Sequence, residues 1–268
     1  MKHLLLALVL AAGCGGPART TYARHPGAAV MFDRTTASEE TLAMADKVLA
    51  AHGGAAAWEA AKQIRWKQTV TSDGKVTSTV EQAWDRWNAR HWAQLEREKG
   101  GAFAVMYDIY GSYGAGYIQG RSGGKQVVPT GEAAEGVKVA RKAWQRDAVV
   151  TLAAFQMFEP GAKLEYKGIA RDGDLELHEL QVTFDPKDVA RAGLELHVYC
   201  DKDTFLVKRV ALNQPNGDRS VYEMTSYQAI GGLQIATERK NLGSGEIVKL
   251  SDVTVGSPDD DLYIAPVS

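Results

Sequence analysis

The stretch that decides the fold runs Leu194-Glu-Leu-His-Val-Tyr-Cys200, then Asp201-Lys-Asp-Thr204, then Phe205-Leu-Val-Lys-Arg-Val-Ala-Leu-Asn213. Leu194, Leu196, Val198 and Cys200 fall on alternate positions, the period of a strand with one face inward. Asp201 to Thr204 is a set of turn formers, and the apolar run resumes at Phe205. The same unit recurs downstream at 219–228, 233–241 and 246–255, separated by Pro215-Asn-Gly-Asp218, Gly231-Gly232 and Gly243-Ser-Gly245. Upstream it is matched by 163–171 and 175–184 around Asp172-Gly-Asp174, and by 63–71 and 75–85 around Ser72-Asp-Gly74. Segments 87–96, 101–110 and 115–119 complete the set. Connections this short join antiparallel neighbours, because a parallel crossover needs a dozen residues or more. About ten or eleven such strands twist strongly and curl. The expectation is a mainly β chain of α+β class: a curved antiparallel sheet or incomplete β-barrel, with helices in its concave side.

Helix signals punctuate this meander. Ser38 is a good N-cap and Glu39-Glu40 suit the positive end of the helix dipole. Leu42, Ala45, Val48, Leu49 and His52 then follow at helical spacing, and Gly53-Gly54 stop the helix. A short helix over 55–62 turns Trp58 inward. One long helix is expected over 139–158, with Trp144, Ala148, Leu152 and Phe155 on one face and Glu159-Pro-Gly161 ending it.

The N-terminus reads Met1-Lys-His-Leu-Leu-Leu-Ala-Leu-Val-Leu-Ala-Ala-Gly-Cys14. A basic end, an apolar run and small residues make a secretory leader, too short for the roughly 20 residues that span a bilayer. Ala11-Ala-Gly-Cys14 resembles the lipobox of bacterial lipoproteins, with Ala11 where that family usually has Leu. The resemblance implies cleavage of residues 1–13 and acylation of Cys14. Two or more acyl chains anchor a protein stably. Gly15 follows the cysteine where an Asp would imply inner-membrane retention, so an outer-membrane location facing the periplasm is expected. Residues 15–36 are rich in Gly, Pro, Ala, Arg and Thr without periodicity and read as a tether. The chain thus divides into a leader (1–13), an anchor and tether (14–37) and a single β domain (38–268).

Removing the leader takes out Lys2 alone and moves the formal charge from −2 to −3, which argues against a nucleic-acid partner. With Cys14 acylated, Cys200 is left as a small buried hydrophobe without a disulfide partner. The chain has no Walker loop, nucleophile elbow, HExxH or CxxC. Gly114-Ala-Gly-Tyr-Ile-Gln-Gly120 has the wrong spacing for a dinucleotide loop. His178 and His197 lie on neighbouring strands near Glu176, Glu179 and Glu195; a metal or acid–base site would need three or more of these to converge. Asp259-Asp-Asp261 reads as a solvated turn, because a calcium cage needs six or more oxygens. No catalytic residue, metal or cofactor is assigned, and a monomer is expected.

Aromatics crowd the first half of the sheet: Trp66, Trp84, Trp87, Trp92, Tyr107, Tyr110, Tyr113 and Tyr117. Inside a wide curved sheet such residues line an apolar ligand cavity or make an ordinary core. The candidate cavity residues are Trp66, Trp84, Trp92, Tyr107, Trp144, Leu152 and Phe155, with the long helix as plug or lid.

His52-Gly-Gly-Ala-Ala-Ala-Trp58 followed by Ile64-Arg-Trp66 resembles the opening of the LolA-like outer-membrane lipoprotein-sorting proteins. Tyr199-Cys-Asp-Lys-Asp-Thr204, Gly231-Gly-Leu-Gln-Ile-Ala-Thr237 and the closing 253–266 segment are similar to the later parts of that group. The resemblance covers 38–266. It implies an unclosed barrel with a helical lid over a cavity for lipid or lipoprotein acyl chains. The leading expectation is therefore a non-enzymatic, membrane-anchored lipid-binding protein. The alternative is a structural or interaction lipoprotein without a cavity, and a hydrolase is the weakest reading. Mass spectrometry of the mature N-terminus is expected to find residue 14 first and acylated; an unmodified Cys14 refutes the anchor.

Overall fold

The computed structural model describes residues 29–97, 100–111, 114–172 and 175–266. The leader, Cys14, most of the tether, Tyr113 and the Gly173-Asp174 turn lie outside these residues. Helix α1 (Glu39–Ala51) starts where the Ser38 Oγ accepts from the Thr41 N–H at 3.2 Å, and it buries Met44, Ala45, Val48 and Leu49. Helix α2 (Gly54–Ala60) follows and buries Trp58. Strands β1 (Gln63–Ser72), β2 (Lys75–Asp85), β3 (Arg90–Glu96), β4 (Ala102–Asp108), β5 (Gly114–Gln119) and β6 (Lys125–Val127) form the first run. Helices α3 (Thr130–Thr151) and α4 (Ala153–Gln156) come next. The second run is β7 (Ala162–Asp172), β8 (Leu175–Phe184), β9 (Glu195–Asp201), β10 (Val207–Asn213), β11 (Arg219–Ile230), β12 (Leu233–Asn241) and β13 (Ile247–Gly256).

The thirteen strands of the described residues belong to one curved antiparallel sheet, in the order β6-β5-β4-β3-β2-β1-β13-β12-β11-β10-β9-β8-β7. The first strand is zipped to the last, from Gln63 opposite Gly256 to Thr71 opposite Ile247. That pairing fuses two meanders into one surface. The sheet stays open and is not a barrel. Strand β6 is three residues long, and the chain beyond it runs as helix along the concave side instead of adding a strand towards β7.

Several boundaries move for local reasons. Asp73 (φ +50°) and Gly74 (φ +75°) make the two-residue turn between β1 and β2. Strand β3 begins at Arg90 rather than 87, because the Asp85 carboxylate holds the Asn88 N–H at 2.9 Å and its side chain at 2.8 Å, and Ala89 turns left-handed at φ +56°. Helix α3 begins well before 139, despite Gly131 and Gly136. An added Cβ at Gly136 would meet the Phe103 ring at 2.8 Å, so close packing on β4 outweighs weak helix propensity. The helix breaks at Leu152 (φ −108°, ψ 29°), which separates α3 from α4.

The two Gly-Gly pairs quoted from the sequence meet in space. Gly53 has φ +111°, and a Cβ there would run into the Gly232 carbonyl oxygen. The Gln234 N–H donates to the His52 carbonyl at 3.0 Å beside it. His52 caps α1 through the Val48 carbonyl at 2.8 Å and stands edge-on to Phe155 and Tyr227. Gly53→Ala is expected to cost about 1–3 kcal/mol of stability, seen as a lower denaturant midpoint. Gly54→Ala, at φ +80° with nothing within 4 Å of the new Cβ, should cost less.

Candidate functional site

Alternation along β2, β3 and β4 sorts the aromatic residues. His91 lies opposite Trp84 and Tyr107, on the concave side, while Trp92 lies opposite Ala83 and Met106. Trp66, Trp84, Tyr107, Trp144, Leu152 and Phe155 accordingly share the main core with α1, α2 and α4. Trp92 does not join them. It is buried on the convex side with Ala83, Ala104, Met106 and Tyr117, under Leu262, Tyr263 and Ala265 of the C-terminal segment. That segment is tied down where the Asp259 N–H and the Tyr263 hydroxyl donate to Gln63 Oε1 at 3.2 and 2.9 Å. Asp260 takes Arg90 at 2.5 Å, so the acidic run serves as a docking turn.

The concave side is filled. Trp58 stacks on Phe155 with ring centroids 4.3 Å apart and planes 14° from parallel. Trp144 meets Trp84 edge-on at 5.4 Å. A wholly apolar crevice remains under the α3–α4 junction, lined by Ile64, Trp66, Leu152, Ile235, Leu250 and Val253, with a volume of about 10 Å³. Ligand pockets run to roughly 300–1,000 Å³, so in this conformation α3 and α4 occupy the space where a ligand cavity was expected.

Polar groups hold those helices in place. Asp147, on the inner face of α3 and 1% exposed, accepts from Gln68 at 2.8 Å, Gln82 at 3.2 Å and Arg146 at 3.0 Å, and is paired with Arg239. Arg239 also donates to Thr151 Oγ1 at 2.7 Å, one turn further along α3. Burial alone would push the Asp147 carboxyl up, but Arg239 and Arg146 outweigh it and the net shift is downward. A second network centres on Glu159, which accepts from Trp58 Nε1 and Arg86 Nη2, each at 3.0 Å. Arg191 lies 3.6 Å from Glu159 and donates to Gln156, the Tyr110 hydroxyl and Asp188 at 2.9–3.0 Å.

None of these clamp residues was a sequence candidate. The available signal was phase: Gln68 follows Trp66 by two positions and Gln82 precedes Trp84 by two, so both amides point inward beside the tryptophans.

The two sheet histidines do not converge. His178 is opposite Cys200 and His197 opposite Gln181, which puts them on opposite faces. His197 is held between Glu179 at 2.6 Å and Glu195 at 2.8 Å, whereas His178 meets the Tyr166 hydroxyl at 2.7 Å. Among the described residues no group of three His, Cys, Asp or Glu is arranged to hold a metal ion. Cys200 is fully buried in the main core, and burial pushes its thiol up, away from nucleophilic character.

No protein-family model matches the chain, and no curated protein matches it. Solved structures do. A DUF1329 family protein from Desulfovibrio piger superposes with a TM-score of 0.50 at 10% identity, over 85% of this chain and 98% of that one. A LolA superfamily protein from Nitrosomonas europaea superposes with a TM-score of 0.50 at 10% identity, over 84% and 97%. The fold is LolA-like. At this identity the likeness is one of architecture: the open curved sheet with helices against its concave side.

Within this LolA-like sheet His91 is fully buried, with Nε2 3.1 Å from Gln82 Oε1. Burial pushes its pKa down to about 3 against an ordinary 6.5, with Arg141 adding to the depression and Asp147 opposing it. The unfolded chain therefore takes up a proton that the fold refuses. Stability is full above about pH 6.5 and falls with pH towards about 3, by up to roughly 1.4 kcal/mol per pH unit. His52, also depressed by burial, adds in the same direction. Urea denaturation between pH 7 and pH 4 should show a shallower loss for His91→Gln than for the wild type; equal slopes would show that His91 is not held neutral.

Proposed function

We propose that this is a lipid-anchored cell-envelope protein, at the outer membrane facing the periplasm. It binds an apolar chain, from a lipid or a lipoprotein, on the concave side of its sheet without catalysing a reaction. The observation that supports this reading is the crevice under the α3–α4 junction. Its walls come from both meanders, Ile64 and Trp66 on one side and Ile235, Leu250 and Val253 on the other, and every exposed surface inside it is apolar. Its one hydroxyl-bearing residue, Thr151, is committed to Arg239.

A chain enters by lifting α3 and α4, which touch the sheet through side chains and belong to no strand ladder. The helices cover apolar wall when empty, and the ligand covers it when bound, each worth about 25 cal/mol per Å² of apolar surface. Binding of this kind needs no nucleophile, and the LolA-like architecture is compatible with it.

The small size of the crevice is the observation that favours the second reading, an interaction lipoprotein with a filled core. Titration of the mature chain with a fluorescent fatty acid separates the two. Saturable binding with quenching of tryptophan emission is expected. Leu250→Glu or Val253→Glu, at the half-buried mouth of the crevice, should weaken it roughly tenfold or more by placing a charge against the chain. No saturable binding by the wild type would leave the interaction reading standing.

A further inference from the structure

Exposed apolar side chains gather where the described chain begins. Val30 and Met31 are 86% and 39% exposed. The Val30 carbonyl accepts from the Gly161 N–H at 2.8 Å, and the Gly161 carbonyl accepts from the Asp185 N–H at 2.8 Å. This ties the emerging chain to the turn that carries Val189, itself 52% exposed. Val189 walls a groove of about 830 Å³ against the outward side of α3, where Val139 is 70% exposed.

The groove is cationic. Lys138, Arg141 and Lys142 line it, against one carboxylate, Glu135, in an exposed pair with Lys138 at 2.6 Å. Such pairs contribute little. The Arg141 guanidinium is fixed by the carbonyls of Asp108, Ile109 and Gly111. Lys138 and Lys142 are exposed on long apolar stems, and the solvent-exposed pairing of Lys138 with Glu135 holds it only weakly. The chain as a whole carries −2, so this excess of positive charge is local.

Exposed valines set among lysines on one side of a helix match an anionic bilayer surface, where apolar groups enter the headgroup layer and ammonium groups meet phosphates. We propose that the outward side of α3, with Val189, docks on an anionic lipid bilayer. The site deepens the reading that the protein works at a membrane, but it does not depend on the lipid at Cys14. The fifteen residue steps from Cys14 to Ala29 reach at most about 50 Å, and Ala29 flanks Gly161 together with Asp188, next to Val189 at the groove. Anchor and groove therefore address the same bilayer. Helix α3 then has two jobs: its inner side covers the apolar crevice and its outer side meets the membrane that supplies or receives the chain.

The test uses the mature chain from residue 14 carrying Cys14→Ser, so that no acyl group contributes. It is sedimented with vesicles of phosphatidylcholine alone, or of phosphatidylcholine with phosphatidylglycerol. Binding is expected on the anionic vesicles, weakening as salt is raised. The K138A/K142A pair should reduce it on the order of tenfold or more, and V139S/V189S should reduce it as well. Both variants should keep the wild-type circular dichroism and fatty-acid binding. Equal binding to both vesicle types, or anionic binding unchanged in K138A/K142A, overturns the proposal. Vesicle binding without fatty-acid uptake would sink the cavity reading and leave this one in place; uptake without vesicle binding would do the reverse.

Discussion

The placement of α3 rests on one buried charge. Asp147 projects from the inner side of the helix onto the concave side of the sheet, where it collects Gln68 from β1, Gln82 from β2 and Arg239 from β12. Apolar burial pulls the helix onto the sheet but is non-directional. The carboxylate supplies direction, because its hydrogen bonds to donors on three different strands constrain the rotation and axial position of α3. Against well-packed apolar residues such a network is no great source of net stability, yet loss of one partner costs about 3–5 kcal/mol by leaving a charge uncompensated. The arrangement fixes where the helix sits more than how tightly it is held.

The partners of Asp147 come from both halves of the sheet, which are adjacent only because β1 pairs with β13. The Glu159 network does the same at the other end of the helical segment, joining α2 through Trp58, the β2–β3 turn through Arg86 and the 185–193 turn through Arg191. Between these two clamps lies the apolar crevice. Lifting these helices breaks no strand ladder, but it must undo both clamps and the core packing of Trp144, Leu152 and Phe155.

Much of the architecture was legible. The alternation of Leu194, Leu196, Val198 and Cys200 gave the strand period and the inward phase, and Ser72-Asp-Gly74 and Gly231-Gly232 marked true turns. The edges were less legible. Strand β6 is too short to show a period, and β3 was shortened by a side chain of Asp85 that sequence propensity does not register. The cavity candidates were chosen by residue type, and residue type does not fix a face. Six of the seven cavity candidates share the concave core, while Trp92 is turned the other way by the register that sets His91 opposite Trp84. The Gln68, Gln82, Asp147 and Arg239 set went unread because its members are spread from β1 to β12 and share no spacing.

By itself the sequence determined what local physics controls: the strand periods, the turn glycines, the caps of α1 and the lack of any short catalytic motif. Only the tertiary structure decided which residues meet. Gly53 faces Gly232, His178 and His197 part to opposite faces, and Asp147 finds Arg239 across the concave side. These outcomes depend on sheet register, curvature and the close approach of distant backbone, and no window of neighbouring residues contains them. The interior volume is of the same kind. Whether a trough lined with tryptophans is open or filled depends on how far one helix sinks into it, and here the Asp147 and Glu159 clamps and the packing of Trp144 and Phe155 set that depth together.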